Sequence, residues 1–448
     1  MRVSRGVTSR RAVGAAVAAG LLLSAAAACG GGDDDKGGGS KTSAGGTELK
    51  GVTVSVAAKW TGTEETNFRK VLQAFEKQTG ATVQYASTGE NTDAYLGPKL
   101  AAHNPPDVAI LPQPGLMQQY AAKGQLKPLE PDVVSEVSQN FSPYWKDLGS
   151  YQGKTYGVIA KAAYKSIIWY RPQAFSDAGV QQPPAAWADL VKDAGTLQDS
   201  GTTPFTLAAG PQDSWTLTDW FENVYLSQAG PDNYDKLAKH EIKWTDPTVA
   251  KALQTLAEIW GKPQFLNGGV ATATKTKFDE SITQVFGQNK AAMAYGGDFA
   301  AANIATTKAK VGTDAKVFAF PKAGDTAPAV IGGDVAVAMK DGKGAQALMK
   351  FLASPEAGKV WAGLGGYLTP NKAVSPDAYS DPIAKQLIQQ MQQAGDSARY
   401  DMSDLAPAAF GATPGAGEWE ALRQFVSKPT DVKGTQATLE AAAAKAFK

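Results

Sequence analysis

Histidine occurs twice, at His103 and His240, and cysteine once, at Cys29. A zinc or haem site draws on several such side chains held close together, so no metal site and no cofactor is expected. The nearest string to a G-x-x-x-x-G-K-[ST] phosphate loop is GGGSKT, Gly37 to Thr42, which lies in a glycine-rich stretch rather than between a strand and a helix. Neither G-x-S-x-G nor H-E-x-x-H is present. Carboxylates remain. Asp219 with Asp298 or Asp334 could supply the two acids of glycosidic hydrolysis, although no acid pair sits in a catalytic motif, and no catalytic residue is assigned.

Position in the chain gives some of these residues a setting. Val52, Val54 and Val56 alternate as a strand, and Phe68, Val71, Leu72 and Phe75 follow at helical spacing until Gly80. A strand at Thr82 to Tyr85, a polar helix to about Ala102, a strand at Val108 to Leu111 and a helix from Gly115 to Gly124 continue the pattern. The order β-α-β-α-β-α predicts a parallel sheet with helices on both faces and a ligand crevice beyond the carboxyl ends of the strands. Trp60 and Glu64 follow the first strand and Gln113 the third, so all three should reach the crevice; Thr61-x-x-Glu64 also fits a helix capping box. In the helix starting near Ser214, Leu217, Trp220, Phe221 and Val224 share a core face, which leaves Trp215, Asp219 and Glu222 opposite. Gly297 and Asp298 follow the strand Ala291 to Tyr295, and Gly333 and Asp334 precede the strand Val335 to Ala338. Glycines there would let a ligand approach the backbone.

Arg2, Arg5, Arg10 and Arg11 precede an uncharged stretch from Ala12 to Ala28, and Cys29 follows at once. That is an export signal. Ala26, Ala27 and Ala28 before Cys29 resemble the bacterial lipobox, which implies cleavage ahead of a lipidated Cys29. Residues 1–28 are then a lipoprotein signal peptide, and 29–47 a lipidated cysteine with a flexible linker, too poor in apolar residues to repay the entropy of ordering. Loss of 1–28 leaves 40 basic and 43 acidic residues. Near-neutral charge without basic blocks argues against a nucleic-acid partner, while 43% apolar residues are enough for sizeable cores.

Val52 to Gly80 and Asn104 to Met117 (NPPDVAILPQPGLM) are similar to the solute-binding proteins of carbohydrate ABC importers, the maltose-binding type, and most similar to its alpha-glucoside branch. KAAYKSIIWY (161–170), AMAYGGDF (292–299), GGDVA (332–336) and GGYLTPN (365–371) resemble later segments of the family, in order. The resemblance implies a type II periplasmic-binding-protein α/β fold: two lobes, each a mainly parallel sheet flanked by helices, with a sugar between them. The first lobe would take 48–160 plus 319–366, and the second 161–318 plus 367–448, with crossings at Val158 to Lys161, Phe318 to Pro321 and Tyr367 to Pro370. It further implies a monomer lipid-anchored outside the cytoplasmic membrane, which passes an alpha-glucoside or small oligosaccharide to a permease driven by a separate ATPase. Sugar recognition needs aromatic faces and planar polar groups in a closable cleft. Trp60, Glu64, Gln113, Lys161, Trp215, Asp219, Gly297, Asp298, Gly333, Asp334 and Tyr367 are the candidates. The competing reading is a secreted glycoside hydrolase or transglycosidase.

Overall fold

A computed structural model describes residues 48–448 apart from Glu90; the signal segment, Cys29 and the linker lie outside the described residues. Strand β1 (Thr53–Ala58) buries Val54 and Val56, and pairs in parallel with β2 (Thr82–Ser87) and β3 (Val108–Leu111). Helix α1 (Gly62–Thr79) connects β1 to β2 and buries Phe68, Val71, Leu72 and Phe75, the face its spacing predicts. Gly80 ends it with φ +78°, a conformation that costs glycine little. Helices α2 (Thr92–Ala101) and α3 (Pro114–Ala122) complete the alternation.

Two long strands then enlarge this sheet. β4 (Gly157–Tyr164) runs antiparallel to β9 (Val330–Ala338), which also pairs antiparallel with β3 and parallel with the short β10 (Arg399–Tyr400). A second sheet is built from β5 (Ile167–Tyr170), β6 (Phe205–Thr206), β7 (Met293–Tyr295) and β8 (Lys316–Ala319), in the order β8-β5-β7-β6. Here β5 pairs antiparallel with both neighbours and only β6 with β7 is parallel. The α/β class holds, but the smaller sheet is mostly antiparallel, because its central strand β5 runs opposite to both β7 and β8.

The chain passes between the sheets through Lys165 and Ser166, and returns between Ala319 and Val330. Val158 to Lys161 lie inside β4, whose eight residues are all buried. Near the C-terminus, Tyr379, Ile383, Leu387, Ile388 and Tyr400 join the core of the larger sheet, whereas Met402, Phe410, Leu422 and Phe425 join that of the smaller one. No helix among the described residues is long and apolar enough to cross a membrane.

Candidate functional site

A crevice of about 560 Å³ opens at the carboxyl ends of β1 and β3, walled on its far side by residues that precede or follow strands of the smaller sheet. Trp60 leaves β1 into this wall, its ring edge-on to Phe68 (4.8 Å) and Trp361 (4.9 Å) and 1% exposed. Its indole N–H has no hydrogen-bond partner. Thr61 is the N-cap of α1 but makes no side-chain cap. Glu64 instead forms an ion pair with Lys161, so the capping box is not formed. The reason is the setting of Lys161: buried on β4, its Nζ lies 5.8 to 6.0 Å from the ring centres of Trp60, Trp361 and Phe299. Burial opposes its charge, but Glu64, Asp334 and Asp298 outweigh burial and raise its pKa above the ordinary lysine value. Gln113 stands at the N-cap of α3, buried on the cleft wall with its amide nitrogen unpartnered.

The second glycine pair is placed differently from expectation. Gly332 to Asp334 lie inside β9, not in a loop before it, and the register slips between Asp334 and Val335. A β-carbon on Gly333 would stand 2.5 Å from the Lys161 carbonyl oxygen, so only glycine lets β4 and β9 meet there. The irregularity presents Gly333 and Asp334 to the cleft, where Asp334 meets Lys59 at 3.5 Å.

Across the cleft, helix α4 (Trp215–Ala238) begins with Trp215 in contact with Phe278 (5.0 Å between ring centres) and Phe299 (5.7 Å). All three rings line the crevice. Gly297 leaves room for the Phe299 ring: a β-carbon there would lie 2.5 Å from it. Gly297 itself, Asp298, Asp219 and Tyr367 do not line the crevice. Buried Asp298 accepts a hydrogen bond from the Tyr164 amide (2.7 Å). Burial pushes its pKa up to about 7, against the pull of Lys161. Tyr367 stacks on Trp361 at 4.6 Å and donates to the Ala160 carbonyl oxygen.

Asp219 and Glu222 correct the reading of α4 as a helix with one outward face. Both are fully buried, because helix α5 (Met402–Leu405) and its flanks roof that face. Glu222 accepts the Met402 and Ser403 amides and the Tyr234 hydroxyl. Asp219 meets the Lys165 ammonium at 3.2 Å. Lys165 also pairs with Asp401 and, at 3.4 Å, with Asp404. Burial raises Asp219 against the pull of Lys165, while at Asp401 burial is outweighed, chiefly by the charge of Lys165, and that carboxyl is held below its ordinary range.

Sequence reasoning missed Lys165, Phe278, Phe299, Asp404 and Trp419 as cleft residues. Lys165 and Phe299 stood within quoted segments, KAAYKSIIWY and AMAYGGDF; Asp404 carried no local signal. His240 pairs with Glu440 at 3.2 Å, and no cluster of His, Cys, Asp and Glu among the described residues could hold a metal.

An α/β chain with two sheets and a deep crevice lined by aromatic rings and ion pairs is built as a ligand receptor. Residues 59–359 match the bacterial extracellular solute-binding proteins, and the chain belongs to that family. It is therefore an extracytoplasmic binding protein and not an enzyme; the relatives are named as binding proteins, which overturns the hydrolase reading. The alpha-glucosides-binding periplasmic protein AglE of Rhizobium meliloti is 33% identical over 85% of each chain. The osmoprotective compounds-binding protein GgtB of Synechocystis is 31% identical, over 80% of this chain and 85% of its own. Among solved structures, the solute receptor AcbH superposes with a TM-score of 0.76 at 20% identity, over 88% of this chain and 99% of its own.

Proposed function

We propose that the protein captures a sugar, an alpha-glucoside or small oligosaccharide, and delivers it to the permease of an ABC importer energised by a separate ATPase. The observation that carries this reading is the aromatic wall of Trp215, Phe278 and Phe299 facing the Lys161–Glu64 and Lys59–Asp334 pairs across one crevice. Aromatic faces suit the C–H surface of a pyranose, and charged pairs suit its hydroxyls. The name of the relative AglE supports the same class of ligand.

In this reading Trp60, Glu64, Gln113, Lys161, Trp215, Gly333 and Asp334 contact the ligand. Asp219, Gly297, Asp298 and Tyr367 hold those residues in place. In place of the expected division, the first lobe takes 48–164 plus 330–400 and the second 167–319 plus 401–448, because β4 pairs in the larger sheet and Tyr367, Leu368 and Val374 share a core with Tyr379 to Tyr400. Cys29 bears the lipid that holds the receptor at the membrane. The receptor acts as a monomer.

Calorimetry against maltose, trehalose and sucrose tests the proposal, with the sugar recovered and analysed afterwards. Saturable binding of unchanged sugar is expected. No binding of any of them, or conversion of the sugar, would overturn it.

A further inference from the structure

Lys165 issues from the two-residue passage between β4 and β5, and its Nζ lies 5.9 Å from the ring centre of Trp215 in the cleft. An ammonium carries three protons. Two are committed to Asp401 and Asp219, both essentially without solvent exposure, and these bonds anchor the lysine to α4 and to the roof above it. The third has only Asp404 Oδ2, at 3.4 Å, a long contact for an N–H donor and a carboxylate. The Asp404 side chain is 18% exposed and lines the cleft; its other oxygen makes no hydrogen bond among the described residues. Trp419, nine-tenths buried on helix α6 (Gly417–Ser427), also lines the cleft, and its indole N–H has no acceptor among the described residues. Beside the Trp215 platform stand a loosely used donor and a carboxylate oxygen with a free lone pair.

We propose that Lys165 and Asp404 together hold one ring hydroxyl of the saccharide that lies on Trp215. Its oxygen accepts the third ammonium proton and its hydrogen is donated to Asp404. A hydroxyl does both at once, whereas an ionised carboxylate or phosphate only accepts. An anionic sugar would also face Asp401 and Asp404, both on the cleft wall, beside a single cation, so the pair selects a neutral ring. The inference rests on the sugar-capture reading.

The test pairs a change in the protein with a change in the ligand. Calorimetry on the wild-type chain identifies which of maltose, trehalose and sucrose binds, and the monodeoxy derivatives of that sugar are then measured on wild type and on Asp404→Ala. The substitution should weaken the parent sugar about 10- to 100-fold, the scale of a lost hydrogen bond to a charged group. One deoxy derivative should bind wild type equally weakly and lose at most about twofold more on Asp404→Ala, because the two changes remove the same interaction. Ligand-free melting curves of Asp404→Ala and Asp404→Asn check that the fold persists. Asp404→Asn, which keeps an acceptor oxygen, should fall between wild type and Asp404→Ala. Parent affinity unchanged in Asp404→Ala, or every derivative weakened by the same factor, would overturn the proposal. A wild-type chain that binds none of the sugars would overturn the sugar reading itself, a result that no behaviour of the variants can imitate.

Discussion

Two tryptophans of one helix separate binding from folding. Trp215 opens α4 in the cleft, half-buried, with the Phe278 and Phe299 rings and the Lys165 ammonium beside it, whereas Trp220 is packed among Trp187, Phe205, Trp260, Tyr295 and Phe320. Trp215→Ala should weaken sugar binding by about 2 to 3 kcal/mol with a small change in the melting temperature of the ligand-free protein. Trp220→Ala should cost about 3 to 5 kcal/mol of stability through the cavity it leaves. Equal destabilisation by both would place Trp215 in the core. Asp298 gives a pH-dependent counterpart. Its folded pKa is raised from the ordinary 3.8 to about 7 by burial, so its contribution is fully present below pH 3.8 and is lost as pH rises through 7. Asp298→Asn keeps an oxygen for the Tyr164 amide and removes the titration. The variant should match wild type near pH 4 and be more stable at pH 8, by at most about 4 kcal/mol. Denaturant midpoints at the two pH values measure the difference, and an equal offset at both would contradict it.

Among the elements, β9 is where local pattern and long-range contact part. The alternation of β1, the face of α1 and the glycine that ends it are local, and each is legible because the burial of one strand or helix face follows from its own residues. Trp60, Glu64, Gln113 and Trp215 were legible for the same reason, since the end of a strand or the start of a helix already says which way a residue faces. Gly332 and Gly333 suggest a loop by type, yet both lie inside a strand: β4 passes too close to Gly333 for any side chain, and the Lys165 side chain fills the space beside Gly332. The roof over Asp219 and Glu222 was hidden likewise: amphipathicity identifies the face that must be buried, not what a segment some 180 residues away lays over the other. Gly333→Ala tests this contact. Its methyl group would press on backbone, which cannot swing aside, so β4 must shift and carry Lys161 with it. A loss of about 1 to 3 kcal/mol is expected, together with weaker sugar binding from the displaced Lys161–Glu64 pair. Unchanged melting would show that the sheet has room there.

At the scale of the whole molecule, ligand capture depends on how few strands of chain join the two sheets. Lys165–Ser166, the stretch from Phe320 to Ala329 and the chain near Asp401 carry the connections, and Lys165 and Asp401 of the first and last line the cleft. One wall is fixed to the larger sheet through Trp60, Glu64, Gln113 and Asp334. The other is fixed to the smaller sheet and its helices through Trp215, Phe278 and Trp419. A sugar that touches both walls binds a narrow cleft better than a wide one, and it shifts the population toward closure only by that difference in affinity. Solution scattering should therefore show the radius of gyration falling on saturation with the bound sugar. The same sugar at the same saturation should produce a smaller fall in Trp215→Ala, because one wall then offers less to close upon. Saturation must be established by calorimetry on the same sample, since weak occupancy would also leave the radius unchanged. A radius that stays constant for wild type at demonstrated saturation would mean that the cleft binds as a fixed pocket, and that the permease must recognise the bound sugar by some difference other than the angle between the lobes.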